Sequence, residues 1–502
     1  MDRIRIRGGN KLNGTIDISG AKNAALPLMI IPLLTPETVT LHNVPRLVDV
    51  LRLQKILGNH GVDIMTAGKR AGQSGLAGET LKISAKTIVD TTAPYELVSK
   101  MRASFWVLAP LVARMGEAKV SLPGGCAIGT RPVDLLLMAM KDLGAEIEIE
   151  GGYAIARAKN GLKGGDINFP KVTVGGTHTA LMGASLAHGT TVIHNAAREP
   201  EIVDLAECLM KMGAKIKGAG TKTIEVTGVT RLNGARHAVL PDRIETGTYA
   251  MAVAMTGGDV LLQGARADLL QSALDVIEQT GAKCVQTNDG VRVSRNGGAI
   301  QPVDVTTEPY PGFPTDLQAQ LMALVTRADG VSRITETIFE NRFMHVSELA
   351  RFGAQIRLDG DTAIIEGVEA YWCWRTGEDD IAWWHPRSTG FAGRRLARRT
   401  DGPGEVFFFL GREQSNLVDL LEVVLKIGLA AVQSRRSRHR SHLFHSGVCP
   451  PRLYIGGNRR TMSKTGAMFR LRSLPRVILG IDFDASSAFP LPVPTTLLLS
   501  RL

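Results

Sequence analysis

The sequence is poor in the residues that build disulfide frameworks and metal clusters. Its five cysteines are scattered along 502 residues, and none belongs to a Cys-x-x-Cys pair. This distribution argues against a structural zinc site or a disulfide framework, and it is typical of a chain in a reducing compartment. We therefore expect a cytoplasmic protein.

Apolar runs long enough to cross a bilayer are lacking as well. The longest apolar run near the N-terminus, 24–34, contains two prolines and is too short to span a membrane. The first seven residues, Met-Asp-Arg-Ile-Arg-Ile-Arg, alternate as a strand does and lack the apolar region of a signal peptide. We expect a first strand here, and neither a leader nor membrane insertion.

Most of the chain also lacks an excess of positive charge. The formal net charge is +11, but residues 370–502 hold 18 Arg and 2 Lys against 6 Asp and 4 Glu, and they account for almost all of it. The first 369 residues are nearly balanced, so global charge gives no reason to expect a nucleic-acid partner. A Gly-x-x-x-x-Gly-Lys phosphate-binding loop is missing too.

What the chain does contain is a repeat of roughly 70 residues. Five amphipathic runs with apolar residues at three- and four-residue spacing end in a glycine, at Gly61, Gly144, Gly213, Gly281 and Gly353. Each run predicts a helix, and the alternating residues after its glycine predict a strand. Upstream lies a second helix of small residues, as at 177–187 or 246–256, followed by a short strand, as at 190–193 or 259–262. These small-residue helices are apolar nearly all round, so they should be buried in compact α/β subdomains.

A single thiol, Cys126, lies in a glycine-rich loop, and Arg131 follows five residues later. A thiol near a fixed positive charge has a lowered pKa and can exchange a proton near neutral pH. The alternative is a half-buried loop cysteine that behaves as a small apolar residue beside a solvated arginine.

Seven short segments stand in order along the chain: 18–27, 101–104, 121–135, 195–201, 240–247, 313–316 and 336–343. Together they resemble the UDP-N-acetylglucosamine 1-carboxyvinyltransferase family of enolpyruvyl transferases. The resemblance covers residues 1–369, with one glycine-rich insertion at 67–78. A sister family acting on shikimate 3-phosphate has a similar fold, but its N-terminal motif does not match residues 20–23.

The resemblance implies an α/β fold: an inside-out α/β barrel of two domains built from repeated βαβαββ units. One domain would span 22–240, and the other would combine 1–21 with 241–369. Residues 370–502 would be an atypical segment in place of a sixth repeat.

The resemblance also implies a reaction. The enolpyruvyl group of phosphoenolpyruvate moves to the 3-hydroxyl of UDP-N-acetylglucosamine and phosphate leaves, in the first committed step of peptidoglycan precursor synthesis. Both partners are small molecules, and no metal or organic cofactor is needed. Cys126 would be the general acid, Asp316 the base for the hydroxyl, and Lys22 the holder of phosphate and carboxylate. Further substrate contacts would fall on Asn23, Arg102, Arg131, Pro132, Val133, Asp134, Leu135, Lys171, Val172, Thr173, Val174 and Ile338.

Plain structural interpretations of some of these residues stay open. Asp316 follows Pro-Thr and is a good helix N-cap. Lys22 opposes the dipole of the helix it opens, which favours a functional reason for it. The segments 198–199 and 242–243 are candidates for ion pairs that tie the domains. His178 and His345 are expected to be packed or to lie on a helix surface rather than to bind a ligand.

The resemblance ends after Glu369. The family's sixth unit, with two arginines that act on phosphoenolpyruvate or product, has no match here. Four of the five tryptophans lie between residues 372 and 384, and the basic pieces that follow have no helical or strand period. An added basic arm is one interpretation. The abrupt shift at a repeat boundary favours another, a segment that did not evolve with the fold, as after a reading-frame change.

Three functions therefore remain open from the sequence. The first is an active transferase with the reaction above. The alternatives are a substrate-binding but catalytically impaired relic and a related enolpyruvyl transferase.

Overall fold

The structure, a computed structural model, describes residues 3–7, 10–67, 78–99, 101–123, 133–368 and 405–409. The strands are β1 (Arg3–Arg7), β2 (Leu12–Asp17), β3 (Val39–Val44), β4 (Asp63–Ala67), β5 (Glu79–Ser84), β6 (Thr92–Ala93), β7 (Glu117–Ser121), β8 (Glu146–Glu150), β9 (Tyr153–Arg157), β10 (Asp166–Asn168), β11 (Thr190–His194), β12 (Lys215–Lys217), β13 (Thr223–Thr227), β14 (Arg236–Ala238), β15 (Gly258–Gln263), β16 (Lys283–Thr287), β17 (Gly290–Arg295), β18 (Asp304–Thr306), β19 (Val331–Thr335), β20 (Gln355–Asp359), β21 (Thr362–Glu366) and β22 (Glu405–Phe409).

The α-helices are α1 (Lys22–Ile30), α2 (Val48–Asn59), α3 (Tyr95–Val98), α4 (Leu108–Met115), α5 (Asp134–Asp142), α6 (Val174–Ala184), α7 (Pro200–Lys211), α8 (Arg243–Thr256), α9 (Gln271–Gln279), α10 (Gln318–Val325) and α11 (His345–Arg351). Short 3-10 helices span Ile31–Leu34, Arg102–Val107, Ala267–Leu269 and Thr315–Leu317.

The chain divides into two compact units, one of residues 11–369 and one of residues 1–10 with 370–502. In the second unit, β1 pairs antiparallel with β22, from Arg3 opposite Phe409 to Arg7 opposite Glu405. The N-terminal strand predicted from alternation is therefore present. Its partner comes from residues 370–502, where the sequence analysis predicts no strand.

Five four-stranded sheets lie within the described part of residues 11–369. Their strand orders are β14-β3-β5-β4, β6-β7-β9-β8, β10-β11-β13-β12, β2-β15-β17-β16 and β18-β19-β21-β20. In each order the first two strands are parallel and the remaining neighbours are antiparallel. The helix–strand–helix–strand–strand unit predicted from the repeat is thus confirmed five times.

The five sheets fall into two groups, and the chain passes from one group to the other at two places. In three sheets the first strand directly precedes its unit, but β14 returns to pair with β3 and β2 pairs with the distant β15. Three sheets therefore lie within residues 39–238, and two use residues 12–17 and 258–366. The connections between the two groups run through residues 18–21 and 239–242.

The helices of small residues are buried, as their composition predicted. In α6 every residue from Gly176 to Ala184 is buried, and in α1 every residue from Ala24 to Ile30. A hydrophobic core joins buried side chains between Ala21 and Val239. Small side chains let such helices approach closely, so sheets can pack around them on all sides.

The five repeat glycines all adopt left-handed backbone conformations after their helices. Their φ angles are +85° at Gly61, +82° at Gly144, +107° at Gly213, +96° at Gly281 and +92° at Gly353. Glycine adopts these angles without the steric cost that a Cβ imposes, so the spacing of glycines marks where each helix ends. Among the helices of the described residues, none has the length and apolar composition needed to cross a membrane.

Candidate active site

The candidate site begins where the two connecting segments run side by side. The backbone N–H of Ala21 donates to the carbonyl of Leu240 over 2.8 Å, and the N–H of Asp242 donates to Ser19 over 2.9 Å. Between them Gly20 lies against Asn43, where a Cβ would stand 1.8 Å from the carbonyl oxygen of Asn43. Only glycine fits this approach, and the pairing places the first residues of α1 and α8 next to each other.

Asp242 serves the start of both helices at once. Its Oδ1 accepts the N–H groups of Ile244 and Glu245 at 2.8 and 3.0 Å, which caps α8. Its Oδ2 accepts the backbone N–H of Lys22 at 3.0 Å. Burial, together with the charge of Glu245, raises the pKa of the Asp242 carboxyl to about 6. One carboxylate therefore holds Lys22 at a fixed place at the start of α1.

A buried ion pair between Glu201 of α7 and Arg243 of α8 lies beside the same two connecting segments. Arg243 donates to both carboxylate oxygens of Glu201, at 2.9 and 3.3 Å, and the two side chains are 8% and 3% exposed. The guanidinium of Arg243 also stacks over the ring of Tyr310 at 5.8 Å. We expected an ion pair from the segments 198–199 and 242–243. The structure gives Arg243 a partner, Glu201, that lies just beyond the first of them.

Asp316 is brought to Asn23 and Lys22 from almost 300 residues away in sequence. The amide of Asn23 donates to Asp316 Oδ2 at 3.2 Å, and the guanidinium of Arg342 donates to Oδ1 at 2.7 Å. Desolvation alone would raise the pKa of Asp316. The charges of Arg342, Lys22 and Arg243, with the hydrogen bond from Arg342, outweigh it and lower that pKa to about 2. The side chain remains 38% exposed, so an anionic carboxylate is accessible here.

The N-cap interpretation of Asp316 is wrong. Asp316 lies within the 3-10 helix Thr315–Leu317, and the N-cap residue of α10 is Leu317, which makes no side-chain cap hydrogen bond. The carboxylate is engaged by side chains instead. The distance in sequence to Asn23 and Arg342 explains why local pattern reasoning could not find these partners.

Glu336 organises the loop that carries Ile338. The carboxylate is buried and accepts hydrogen bonds from the hydroxyls of Thr307 and Thr315, at 3.0 and 2.8 Å. It also accepts the backbone N–H groups of Ile338 and Phe339, at 2.9 and 3.1 Å. The sequence reasoning gave Glu336 no role. The signal that the sequence offered for such a role is a Glu between two threonines, directly after β19.

The segments expected to grip the nucleotide sugar open two helices that pack together. Val133 and Leu135 flank the start of α5 and are buried, whereas the Asp134 side chain is exposed. At the start of α6, Thr173 caps the helix by accepting the N–H of Gly176 at 3.2 Å. Helix α5 packs against α6. The structure thus brings the described part of 131–135 and the segment 171–174 together, with Lys171 and Val172 exposed.

Arg102 opens the 3-10 helix Arg102–Val107, which packs against both α1 and α6. From the same helix, Trp106 meets the ring of His178 edge to face, with centroids 4.9 Å apart. His178 is fully buried, and burial lowers its pKa to about 3. It is therefore a packed, neutral histidine, the first of the two interpretations that the sequence left open.

Three of the predicted site residues, Cys126, Arg131 and Pro132, lie outside the described residues. The centre of the 67–78 insertion and nearly all of 370–502 lie outside them too. Cys208 is buried and Cys284 partly buried, and burial raises the pKa of each thiol to about 12. In the described ranges, no group of three or more His, Cys, Asp or Glu side chains is arranged to hold a metal ion.

Two solved structures share this arrangement of sheets around buried helices. The enolpyruvyl transferase NikO from Streptomyces tendae aligns with a TM-score of 0.63 at 22% identity, over 75% of this chain and 86% of its own. An EPSP synthase from Acinetobacter baumannii aligns with a TM-score of 0.55 at 18% identity, over 74% and 85%. The fold is that of the enolpyruvyl transferases, mixed α/β with many small sheets.

Sequence comparison is more specific. The family profile of EPSP synthase (3-phosphoshikimate 1-carboxyvinyltransferase) matches residues 6–377. A UDP-N-acetylglucosamine 1-carboxyvinyltransferase from Afipia carboxidovorans is 75% identical over 367 residues, 73% of this chain and 86% of the relative. The enzyme of the same name from Nitrobacter hamburgensis is 73% identical over 368 residues, with the same coverage. This chain therefore belongs to the UDP-N-acetylglucosamine 1-carboxyvinyltransferase family of enolpyruvyl transferases.

Proposed function

We propose that this protein transfers the enolpyruvyl group of phosphoenolpyruvate to the 3-hydroxyl of UDP-N-acetylglucosamine and releases phosphate. The observation that carries the proposal is the 75% identity to a relative named for this reaction, sustained over 367 residues. The family profile bears the name of the shikimate enzyme, but it describes a fold that both kinds of transferase share. The impaired-relic alternative rests only on the sequence after residue 369, and the comparisons do not favour it.

The reaction needs a proton donor, a proton acceptor and several fixed positive charges. In the addition step, a proton reaches the methylene carbon of phosphoenolpyruvate while the sugar oxygen bonds to the adjacent carbon and loses its own proton. A tetrahedral ketal results. In the elimination step the carbon–oxygen bond to phosphate breaks and a proton leaves the methyl group, which restores the double bond. No electron acceptor or metal is consumed in either step.

We assign these roles to residues matched by the resemblance. Cys126 donates the proton to carbon, and Asp316 faces the 3-hydroxyl and receives its proton. Lys22, with Arg131, holds the phosphate and carboxylate, because Lys offers a compact charge and Arg a planar fork for oxyanions. The position of Lys22 beside Asp316 and Asn23 supports this assignment.

We place the nucleotide sugar at the starts of α5 and α6. The helix start at 171–174 offers backbone N–H groups and Lys171, which suit a diphosphate. The exposed carboxylate of Asp134 suits hydroxyl or N–H donors of the nucleoside. Asn23, Arg102, Pro132, Val133, Leu135 and Ile338 complete the proposed contacts.

The two-domain division stays part of the proposal. Residues 22–240 would form one domain, and residues 1–21 with 241–369 the other. The hydrophobic core between Ala21 and Val239, and the return of β14 to β3, support the first domain. By the same resemblance, we place the protein in the cytoplasm and in peptidoglycan precursor synthesis.

Calorimetry on the full-length protein tests the substrate assignment. UDP-N-acetylglucosamine should give saturable heat at concentrations on the order of millimolar or below, and shikimate 3-phosphate should give none. Asp134→Ala should weaken sugar-nucleotide binding. Glu146→Ala, which removes an exposed carboxylate just past the other end of α5, should not. Folded protein that gives no heat with the sugar nucleotide would contradict the proposal.

A further inference from the structure

Two polar side chains meet where the parallel strands β18 and β19 end. The strands end in register, with Thr306 beside Thr335, so the next residues, Thr307 and Glu336, lie side by side. The hydroxyl of Thr307 donates to Glu336 Oε1 over 3.0 Å. Thr307 is fully buried and Glu336 is 4% exposed. A carboxylate is costly to bury, so its presence at this place needs a physical reason.

The repeat itself does not require a polar pair at this place. In the other four sheets of the described residues, the residue directly after the first strand is apolar: Ile18, Pro94, Phe169 or Val239. The residue directly after the second strand is not acidic in any of these four: Pro45, Leu122, Asn195 or Gly264. Because four sheets form without a hydroxyl–carboxylate pair at their edge, Thr307 and Glu336 serve something other than the formation of the sheet.

Glu336 connects two further segments to this pair. Its Oε1 also accepts the backbone N–H groups of Ile338 and Phe339, at 2.9 and 3.1 Å, and its Oε2 accepts the hydroxyl of Thr315 at 2.8 Å. Hydrogen bonds to a charged acceptor are roughly twice as strong as those between neutral groups. One carboxylate therefore holds both the loop after β19 and the 3-10 helix Thr315–Leu317.

These two segments carry residues that the proposed function assigns to the sugar nucleotide. Asp316 directly follows Thr315 and is the candidate base, and Ile338 is a proposed contact. A substrate that touches both groups at once needs them at one separation, held within about 0.5 Å. The contacts of Glu336 fix that separation before any substrate binds.

We propose that Glu336 is a positioning residue of the transferase site, which holds the loop of Ile338 and the 3-10 helix of Asp316 in the relative placement that the sugar nucleotide requires. Thr307 keeps the carboxylate oriented. The inference rests on the proposed function, because that function assigns Asp316 and Ile338 to the sugar nucleotide. Glu336 is itself buried, so it acts through these residues.

Hydrogen exchange on the full-length protein, followed by mass spectrometry of the peptide that covers 336–343, tests the contacts directly. In the unmodified protein the amides of Ile338 and Phe339 should exchange slowly, because both donate to a buried acceptor. In Glu336→Gln they should exchange about tenfold faster, because a neutral amide replaces the charged acceptor. Saturating UDP-N-acetylglucosamine should slow exchange further in the unmodified peptide, and less in the variant.

A double variant separates positioning from stability. Thr307→Val with Glu336→Leu introduces residue types that other repeats carry at these places, as at Val239 and Leu122. Replacing both partners of a buried hydrogen bond by apolar groups is nearly neutral, so the urea unfolding midpoint should stay close to that of the unmodified protein. The 336–343 peptide should nevertheless exchange faster. Glu366→Gln changes an exposed residue at the opposite end of the same sheet and should alter neither property.

Turnover shows whether the placement matters for the reaction. In Glu336→Gln and in the double variant, kcat should fall about 100-fold, the effect of a misplacement of about 1 Å. Calorimetry with UDP-N-acetylglucosamine should keep full stoichiometry and a Kd of the same order, because the proposed contacts at the starts of α5 and α6 remain. A merely structural role would instead lower stoichiometry and turnover by the same factor, since only folded molecules bind.

The outcomes separate this inference from the proposed function. Exchange at 336–343 that is equal in Glu336→Gln and the unmodified protein would overturn the inference, and so would equal turnover by the double variant and the unmodified protein. Both results leave the proposed function standing. An unmodified protein that gives no heat with UDP-N-acetylglucosamine would contradict the proposed function, and the inference would fail with it.

Discussion

Two aspartates near the start of α1 have pKa values that their surroundings shift in opposite directions. Asp242 is buried beside Glu245, which raises its pKa to about 6, whereas Asp316 faces Arg342, Lys22 and Arg243, which lower its pKa to about 2. Both carboxylate oxygens of Asp242 accept hydrogen bonds from backbone N–H groups, so Asp242 is a structural cap. Asp316 keeps an accessible charge, so it is the carboxylate suited to meet a substrate.

At the same scale, Cys126 should be the thiol labelled by small epoxide phosphonates that mimic phosphoenolpyruvate. The glycine-rich sequence around Cys126 and the charge of Arg131, five residues later, favour the thiolate. Cys208 and Cys284 serve as internal controls, because burial raises their pKa to about 12. Mass spectrometry of digested protein should find the adduct on the peptide with Cys126, and none in Cys126→Ser. Equal labelling of Cys284 would show that the Cys126 thiol is not specially activated.

Among the elements, each repeat unit ends its amphipathic helix in the same way, with a glycine in a left-handed backbone conformation. After α7, the Gly213 backbone turns to φ +107° and the chain enters β12. A Cβ at Gly213 would meet only the amide nitrogen of Asn233, at 3.5 Å, which is ordinary contact. Space is therefore available there, and only the backbone conformation demands glycine.

Gly213→Ala should lower the free energy of unfolding by about 1–2 kcal/mol, the cost of a left-handed conformation for a residue with a Cβ. Gly58, within α2, is the matched control, because nothing lies within 4 Å of a Cβ there and its φ is not left-handed. Gly58→Ala should raise stability by about 0.5–1 kcal/mol. Urea unfolding midpoints of the two variants compare these effects. A Gly213→Ala midpoint at or above that of the unmodified protein would refute the assignment.

At the scale of the whole molecule, the chain passes twice between the two groups of sheets, through residues 18–21 and 239–242. These two passages bring residues 18–22 and 239–243 together, and there the Arg243–Glu201 ion pair and the Asp242 contacts join elements far apart in sequence. Removing one partner of a buried ion pair typically costs about 3–5 kcal/mol, because the other charge is left buried without a partner. The candidate site lies at the junction, where α1 presents Lys22 and Asn23 to Asp316.

At this scale we expect the segment after residue 369 to limit turnover. The family resemblance implies a sixth unit with two arginines that residues 370–502 do not match, and losing one donor to a developing negative charge costs roughly 10²–10³ in rate. A chimera in which a family-type sixth unit replaces residues 370–502 should therefore release phosphate faster from both substrates, with similar binding of the sugar nucleotide. Equal turnover by the unmodified chain would mean that its own C-terminal segment supplies the missing contacts.

The sequence by itself determined the repeated units, their buried helices, the glycines that end the helices, and the list of candidate residues headed by Lys22, Asn23 and Asp316. The repeated units and their glycines depend on periodicity and short-range backbone preferences, which are local, whereas the candidate residues are implied by the motifs that carry the family resemblance. Only the tertiary structure decided that β14 returns to β3, that Arg243 pairs with Glu201, and that Asp316 is held by Arg342 rather than capping α10. Such partners lie 26 to 196 residues apart in sequence, and they meet because the sheets must close around buried helices, which no local pattern encodes.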